Sequence, residues 1–230
     1  MANSKIVFKY CALVIYLAVL SGCATVEQWL PQTEDVAEVP TAETSSTSPE
    51  PTVVNRFRSS ARALSTQQKA WVGTLKSQLD SDDHAGISAT LRIMADSLGA
   101  GQNEPSMLLV AMGDGAQRIG EQQDALAYWQ RAVEINSDNY FAHDRLATHY
   151  RTTGDFDLAK THYGQALSAW PGFTNAYRNR GILFDLYMGD KAAALNDYVR
   201  YKQLLEQDGQ PTKEVDRWIR EMQRAIEQNA

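Results

Sequence analysis

The sequence predicts an all-α protein assembled from short antiparallel helix pairs, and three observations carry that prediction. From Tyr140 to Pro171 two helical runs follow one another. Leu146, Ala147 and Tyr150 share one face of the first, and Ala159, Tyr163, Ala166 and Leu167 share one stripe of the second. Between them stands Thr153-Gly154-Asp155, a glycine that stops one helix and an aspartate that caps the next. The pattern then recurs: 34 residues upstream of Gly154 and Ala159 stand Gly120 and Ala125, the same residue types in the same places.

Taken in order, the 230-residue chain begins with a segment that does not belong to the fold. Lys5 and Lys9 precede an apolar run from Cys11 to Leu20, of signal-peptide length and too short for an ordinary spanning helix. Leu20-Ser21-Gly22-Cys23 lies directly behind that run and is similar to the lipobox of bacterial lipoproteins. The resemblance implies cleavage before Cys23 and acylation of its sulfur and new amino terminus. Several acyl chains anchor stably where one binds reversibly. Ala24, in place of an aspartate after the cysteine, implies by the same resemblance sorting to the outer membrane, facing the periplasm. Residues 1–22 are thus expected to be a signal peptide and Cys23 the lipidation site. Cys11 leaves with the signal, so the mature chain is expected to have no disulfide, free thiol, cysteine nucleophile or thiolate metal site.

Residues 23–63 are expected to be a tether. Pro31, Pro40, Pro49 and Pro51, the run Thr44-Ser45-Ser46-Thr47-Ser48 and scattered acids offer little to bury, so ordering them would cost entropy without return. About 40 such residues reach roughly 35 Å on average and on the order of 130 Å when extended. Around Arg56, Phe57, Arg58 and Arg62 the charge turns positive. This stretch reads as a solvated approach to the first helix, the other reading being contact with anionic head groups or glycan.

Residues 64–105 are expected to form a degenerate helix pair that caps the array. Trp71, Leu75 and Leu79 recur at spacing four, and Ser81-Asp82-Asp83 caps a run with Ile87, Leu91 and Met94. Three regular pairs follow, over 106–139, 140–173 and 174–208. The first has Gly113 in the small slot, Trp129 in the aromatic slot of its second helix and Ala132 in the following alanine slot. Ala116 replaces the first aromatic there, and Ser137 replaces the closing proline. The third has Gly181 and Phe184 in phase, but Gly189, Ala194 and Tyr198 arrive one residue late, so its turn is expected to carry an extra residue. In residues 209–230, Val215, Trp218, Ile219, Met222 and Ile226 form one apolar face opposite a charged one, as the end of a solenoid requires.

The slots Ala147, Tyr150, Gly154, Ala159, Tyr163, Ala166 and Pro171 resemble the tetratricopeptide repeat. Small side chains there let two helices approach closely while aromatics fill the flanks. The resemblance implies a right-handed superhelical solenoid in which the first helix of each pair lines a partner-binding groove. Carried over, that lining is Met107, Val110, Asp114 and Gln117, then Phe141, Asp144, Thr148 and Arg151, then Asn175, Arg178, Ile182 and Asp185. Phe141 and Ile182 are expected as apolar anchors, and Arg151 and Arg178 as carboxylate contacts, for an extended peptide or a partner helix. The C-terminal Val215-Asp-Arg-Trp-Ile219 resembles repeat lipoproteins found with TonB-type systems.

A net charge of −6 with no basic stripe argues against nucleic acid, which relies on clustered Lys and Arg. The glycines of Gly113-Asp-Gly115 through Gly120 do not make a dinucleotide loop, because Arg118 stands where the third glycine belongs. His143 and His149, six residues apart, point to different faces of one helix. His149 is expected at a helix interface and His162 in solvent. No enzyme, metal or cofactor is expected. The expected role is a lipid-anchored adaptor for a protein or peptide segment of the envelope: a transport, secretion, pilus or cell-wall machine. The alternatives are a structural lipoprotein acting by self-association and an accessory regulator of a cell-wall enzyme.

Overall fold

A computed structural model describes residues 54–98 and 104–228. The expected signal segment, Cys23 and most of the tether lie outside these residues. Helix α1 spans Arg56–Ser60, α2 Thr66–Asp80, α3 His84–Ser97, α4 Ser106–Arg118 and α5 Gln122–Ile135. Helix α6 spans Tyr140–Thr153, α7 Phe156–Ala169, α8 Thr174–Ile182, α9 Lys191–Gln207 and α10 Lys213–Glu227. Between α8 and α9 the chain continues as a π-helical segment, Leu183–Met188.

Helix starts follow local chemistry. Ser65 and Gln68 form a reciprocal capping box at α2, and Asp83, Asn139 and Asp190 accept backbone N–H bonds from Gly86, Ala142 and Ala193. Asp155 departs from its expected role. It sits at the cap position of α7, yet its carboxylate accepts from the Thr153 hydroxyl at 3.0 Å instead of from the helix backbone. Neighbouring helices pack in sequence, with α4 on α5, α6 on α7 and α8 on α9, and each pair also meets the next.

Small residues and aromatics share the interior of the pairs. Trp129, Tyr163 and Tyr198 are all but fully buried; Gly113 lies against Trp129 and Gly181 against Tyr198, and Ala147 is buried in the middle pair. Ala125, Ala132, Ala159, Ala166 and Ala194 are buried on the second helices and keep the backbones close. Where Ala116 replaces an aromatic, Leu75 and Leu91 of the first pair press against adjacent Gly115. The corners are near-copies: Asn136 has φ −143° and ψ 99°, Trp170 has φ −144° and ψ 99°. Ser137 in place of proline therefore leaves the corner unchanged. At the far end Val215 and Met222 pack on Ala194 and Tyr198, with Trp218 5.2 Å from the Tyr198 ring.

Two expectations need correction. The extra residue of the third pair is not in its turn. Glu121 N–H reaches Ala116 O at 2.9 Å and Asp155 N–H reaches Tyr150 O at 2.8 Å, each five residues back, whereas Asp190 N–H reaches Phe184 O at 3.0 Å, six back. Gly120, Gly154 and Gly189 share the left-handed conformation, so the turn is conserved and the helix before it widens. Secondly, Arg56–Ser60 is not a solvated approach to the first helix: it forms α1, whose Phe57 is buried against α6.

Candidate functional site

The first helices of the regular pairs are joined into one face by polar side chains. Arg145 of α6 donates from Nε to Asp114 Oδ1 at 2.9 Å and from Nη2 to Asp114 Oδ2 at 3.1 Å, reaching back to α4. Its Nη1 donates to Asp144 at 3.2 Å, and Asn179 of α8 donates to the other oxygen of Asp144 at 3.2 Å. Trp129 Nε1 also donates to Asp114, at 3.2 Å. Burial raises the Asp144 carboxyl, against the opposing pull of Arg145, Asn179 and Arg151. These carboxylates are spent on holding α4, α6 and α8 together. A second buried pair, Arg180 with Asp197 at 2.7 and 2.8 Å, ties α8 to α9.

This network changes the expected lining. Val110 is fully buried, Phe141 is 5% exposed and Asp144 2%, so none of the three is a free surface residue. Ile182 packs on the core between α9 and α10. Thr148 is bound to the Tyr163 hydroxyl at 3.2 Å, and Asp185 holds Lys191 and accepts from Tyr198 at 3.4 Å. Gln117 is exposed, and Met107, Arg151, Asn175 and Arg178 are half-buried.

The two arginines stand out in that remainder. Arg151 Nε is buried with no hydrogen-bond partner, and its guanidinium lies 5.9 Å from the centre of the Tyr187 ring. Tyr187 in turn packs on Phe156 at 5.2 Å. Arg178 makes no ion pair among the described residues. Its charge opposes the upward push of burial on the phenols of buried Tyr198 and half-buried Tyr201.

Two further clusters were not marked by the repeat pattern. Tyr140, Phe141, Trp170 and Phe173 gather at the corners beside α6, with Tyr140 4.8 Å from Trp170 and 4.7 Å from Phe173. Phe57 closes the cluster at 5.6 Å from Tyr140 and 6.2 Å from Phe141. The available signal was a single large aromatic among arginines in an otherwise polar stretch. In the second cluster, His143 Nε2 donates to the Ser137 carbonyl at 3.0 Å, which leaves its Nδ1 as acceptor, 3.0 Å from His162 Nδ1. Tyr150 stacks on His162 at 5.4 Å, so His162 is half-buried, not in solvent as expected. Burial and His143 push the His162 imidazole down to about 4. Among the described residues no group of three or more His, Cys, Asp and Glu is placed to hold a metal ion.

The paired helices, the small residues that share the interior with aromatics and the left-handed glycine turns define the fold of a tetratricopeptide repeat array. Solved structures agree. A crystal structure of MamA is 20% identical over 62% of this chain and 80% of that one, with a TM-score of 0.53. A tetratricopeptide repeat protein from Parabacteroides merdae is 19% identical over 71% of this chain and 62% of that one, with a TM-score of 0.54. No protein-family model matches the chain, and no curated protein matches it.

Proposed function

We propose that this protein is a non-enzymatic adaptor, lipid-anchored through Cys23 in the bacterial periplasm, that presents the joined face of α4, α6 and α8 to a protein of the cell envelope. The observation that carries the reading is the pair Arg151 and Arg178. The carboxylates of the face are hydrogen-bonded by other side chains, so Arg151 Nε keeps a donor for a ligand. A partner segment with carboxylates fits that donor. The lipobox-like Leu20-Ser21-Gly22-Cys23 supports the anchor, and the proline- and serine-rich stretch behind it supports a reach away from the membrane.

Charge reversal at both arginines, Arg151→Glu with Arg178→Glu, tests the adaptor role. The expected outcome is loss of crosslinks to other envelope proteins with the helical fold retained. If those crosslinks persist and only self-association is lost, the protein is a structural lipoprotein instead. Cys23→Ala tests the anchor: the variant should leave the membrane fraction, and an acylated, membrane-bound variant would refute it.

A further inference from the structure

The aromatic cluster beside α6 already holds a ligand, and that ligand is the chain itself. Of residues 54 to 65, only Phe57 is buried. Its ring inserts edge-on against Tyr140 and Phe141, at interplanar angles of 88° and 85°. Polar ties accompany it at the rim, among them a hydrogen bond between the side chains of Asn55 and Tyr140. Arg56 Nε donates to Asp138 Oδ1 at 2.9 Å, and Asn136 Nδ2 donates to Ser60 Oγ at 3.1 Å. All of these contacts are made to residues about 80 positions further along the chain, at the corner between α5 and α6. Residues 61–65, which lead to α2, are not helical, so α1 is not continuous with α2.

We infer that this aromatic pocket is a recognition site for a short helical turn carrying an arginine–aromatic pair, occupied in cis by Asn55–Ser60 and open to the same motif on a partner protein when α1 leaves. The chemistry is stated by the resident occupant. An aromatic packs edge-on against Tyr140 and Phe141, and the arginine before it meets Asp138. One buried side chain is a shallow hold compared with the helices behind it, which makes the occupant exchangeable. Phe141 belongs to the face of α4, α6 and α8, so departure of α1 adds an apolar pocket to the end of that face. The trans partner rests on the adaptor reading; the cis occupancy does not.

The probe is a labelled peptide of residues 52–63, Thr-Val-Val-Asn-Arg-Phe-Arg-Ser-Ser-Ala-Arg-Ala, added to the full-length protein and followed by fluorescence anisotropy. The Phe57→Ala variant, with its pocket vacated, should bind the peptide at least tenfold more tightly than the wild type. The same peptide with alanine for phenylalanine should not bind. Adding Asp138→Arg to the variant should weaken binding several-fold, and a peptide with glutamate for the first arginine should restore it. Equal affinity of wild type and variant, or no binding by a folded variant, would overturn the proposal.

A second measurement avoids the core altogether. Arg56→Glu should speed tryptic cleavage after exposed Arg58 several-fold while leaving the denaturation midpoint of the array unchanged. Cleavage at the wild-type rate would refute an exchangeable α1. Neither assay involves an envelope partner, so their failure is distinct from persistence of crosslinks in the Arg151→Glu, Arg178→Glu protein.

Discussion

A Cβ added to Gly113 would sit 2.3 Å from Trp129 Nε1, and one added to Gly181 would sit 2.6 Å from Tyr198 Cε1. In the middle pair the corresponding slot holds Ala147, which is buried, as is Tyr163. Gly113→Ala should therefore cost about 1–3 kcal/mol, because the indole and its bond to Asp114 must shift. Gly73 in α2 has open space around its Cβ, so Gly73→Ala should instead add about 0.5–1 kcal/mol by removing backbone freedom from the unfolded chain. Urea denaturation of the two variants should give opposite signs. The His143–His162 contact makes a second prediction at this scale. The His162 imidazole falls from 6.5 to about 4 on folding, so above pH 6.5 both states are neutral and it contributes no slope. Between 6.5 and about 4 the unfolded chain binds the proton and the folded one does not, so stability falls as pH drops. His162→Phe should flatten that decline relative to wild type, by on the order of 1 kcal/mol at pH 4.5 once solvent screening of the half-buried ring is allowed for; identical pH profiles would mean that the imidazole is not held neutral by burial. The slots Gly113, Trp129, Ala147 and Tyr163 were legible in the sequence because packing demands residue size at fixed spacing. The histidine contact was not, because it joins two helices and a carbonyl at a corner, and no single-helix periodicity reports it.

At the level of elements, the third pair shows how a one-residue insertion is absorbed. The phase of Gly189, Ala194 and Tyr198 revealed the insertion, but only hydrogen bonding shows that the helix and not the turn took it up. The π segment turns Tyr187 toward Arg151 and leaves Leu186 65% exposed. Deleting Leu186 should restore an α-helical run, retain the circular dichroism of the wild type and remove the Tyr187 ring from Arg151. Loss of the folded state would show that the π turn is required for packing of α8 on α9. Asp82 carries the first hairpin in the same left-handed conformation, φ 57°, that Gly120, Gly154 and Gly189 adopt in the others. The first hairpin thus turns with the backbone conformation of the regular pairs. That likeness is not legible in the sequence, because aspartate tolerates the conformation without announcing it. Helix α1 was hidden for a different reason: five residues carry too little periodicity to read, and its buried ring is recognisable only from the pocket that receives it.

The whole molecule joins a repeat array, whose fold the slots of Tyr140 to Pro171 disclosed, to a segment whose character rests on Cys23 and its flanks. Docking of α1 places Arg56–Ser60 in the fold, where the sequence reading puts them in the tether. The lining of the partner face was only partly legible. The first-helix positions were placed by repeat phase, but which of them are consumed by neighbours depends on cross-helix partners such as Arg145 and Asn179. The central claim is that the face of α4, α6 and α8 meets another envelope protein through Arg151 and Arg178. It is tested most directly by a photo-crosslinking residue at half-buried Asn175, compared with one at exposed Lys160 on α7, in living cells. Adducts with another envelope protein are expected from position 175 and not from position 160, and they should disappear with Arg151→Glu and Arg178→Glu. Equal adducts from both positions, or adducts from 175 that survive the double reversal, would contradict it.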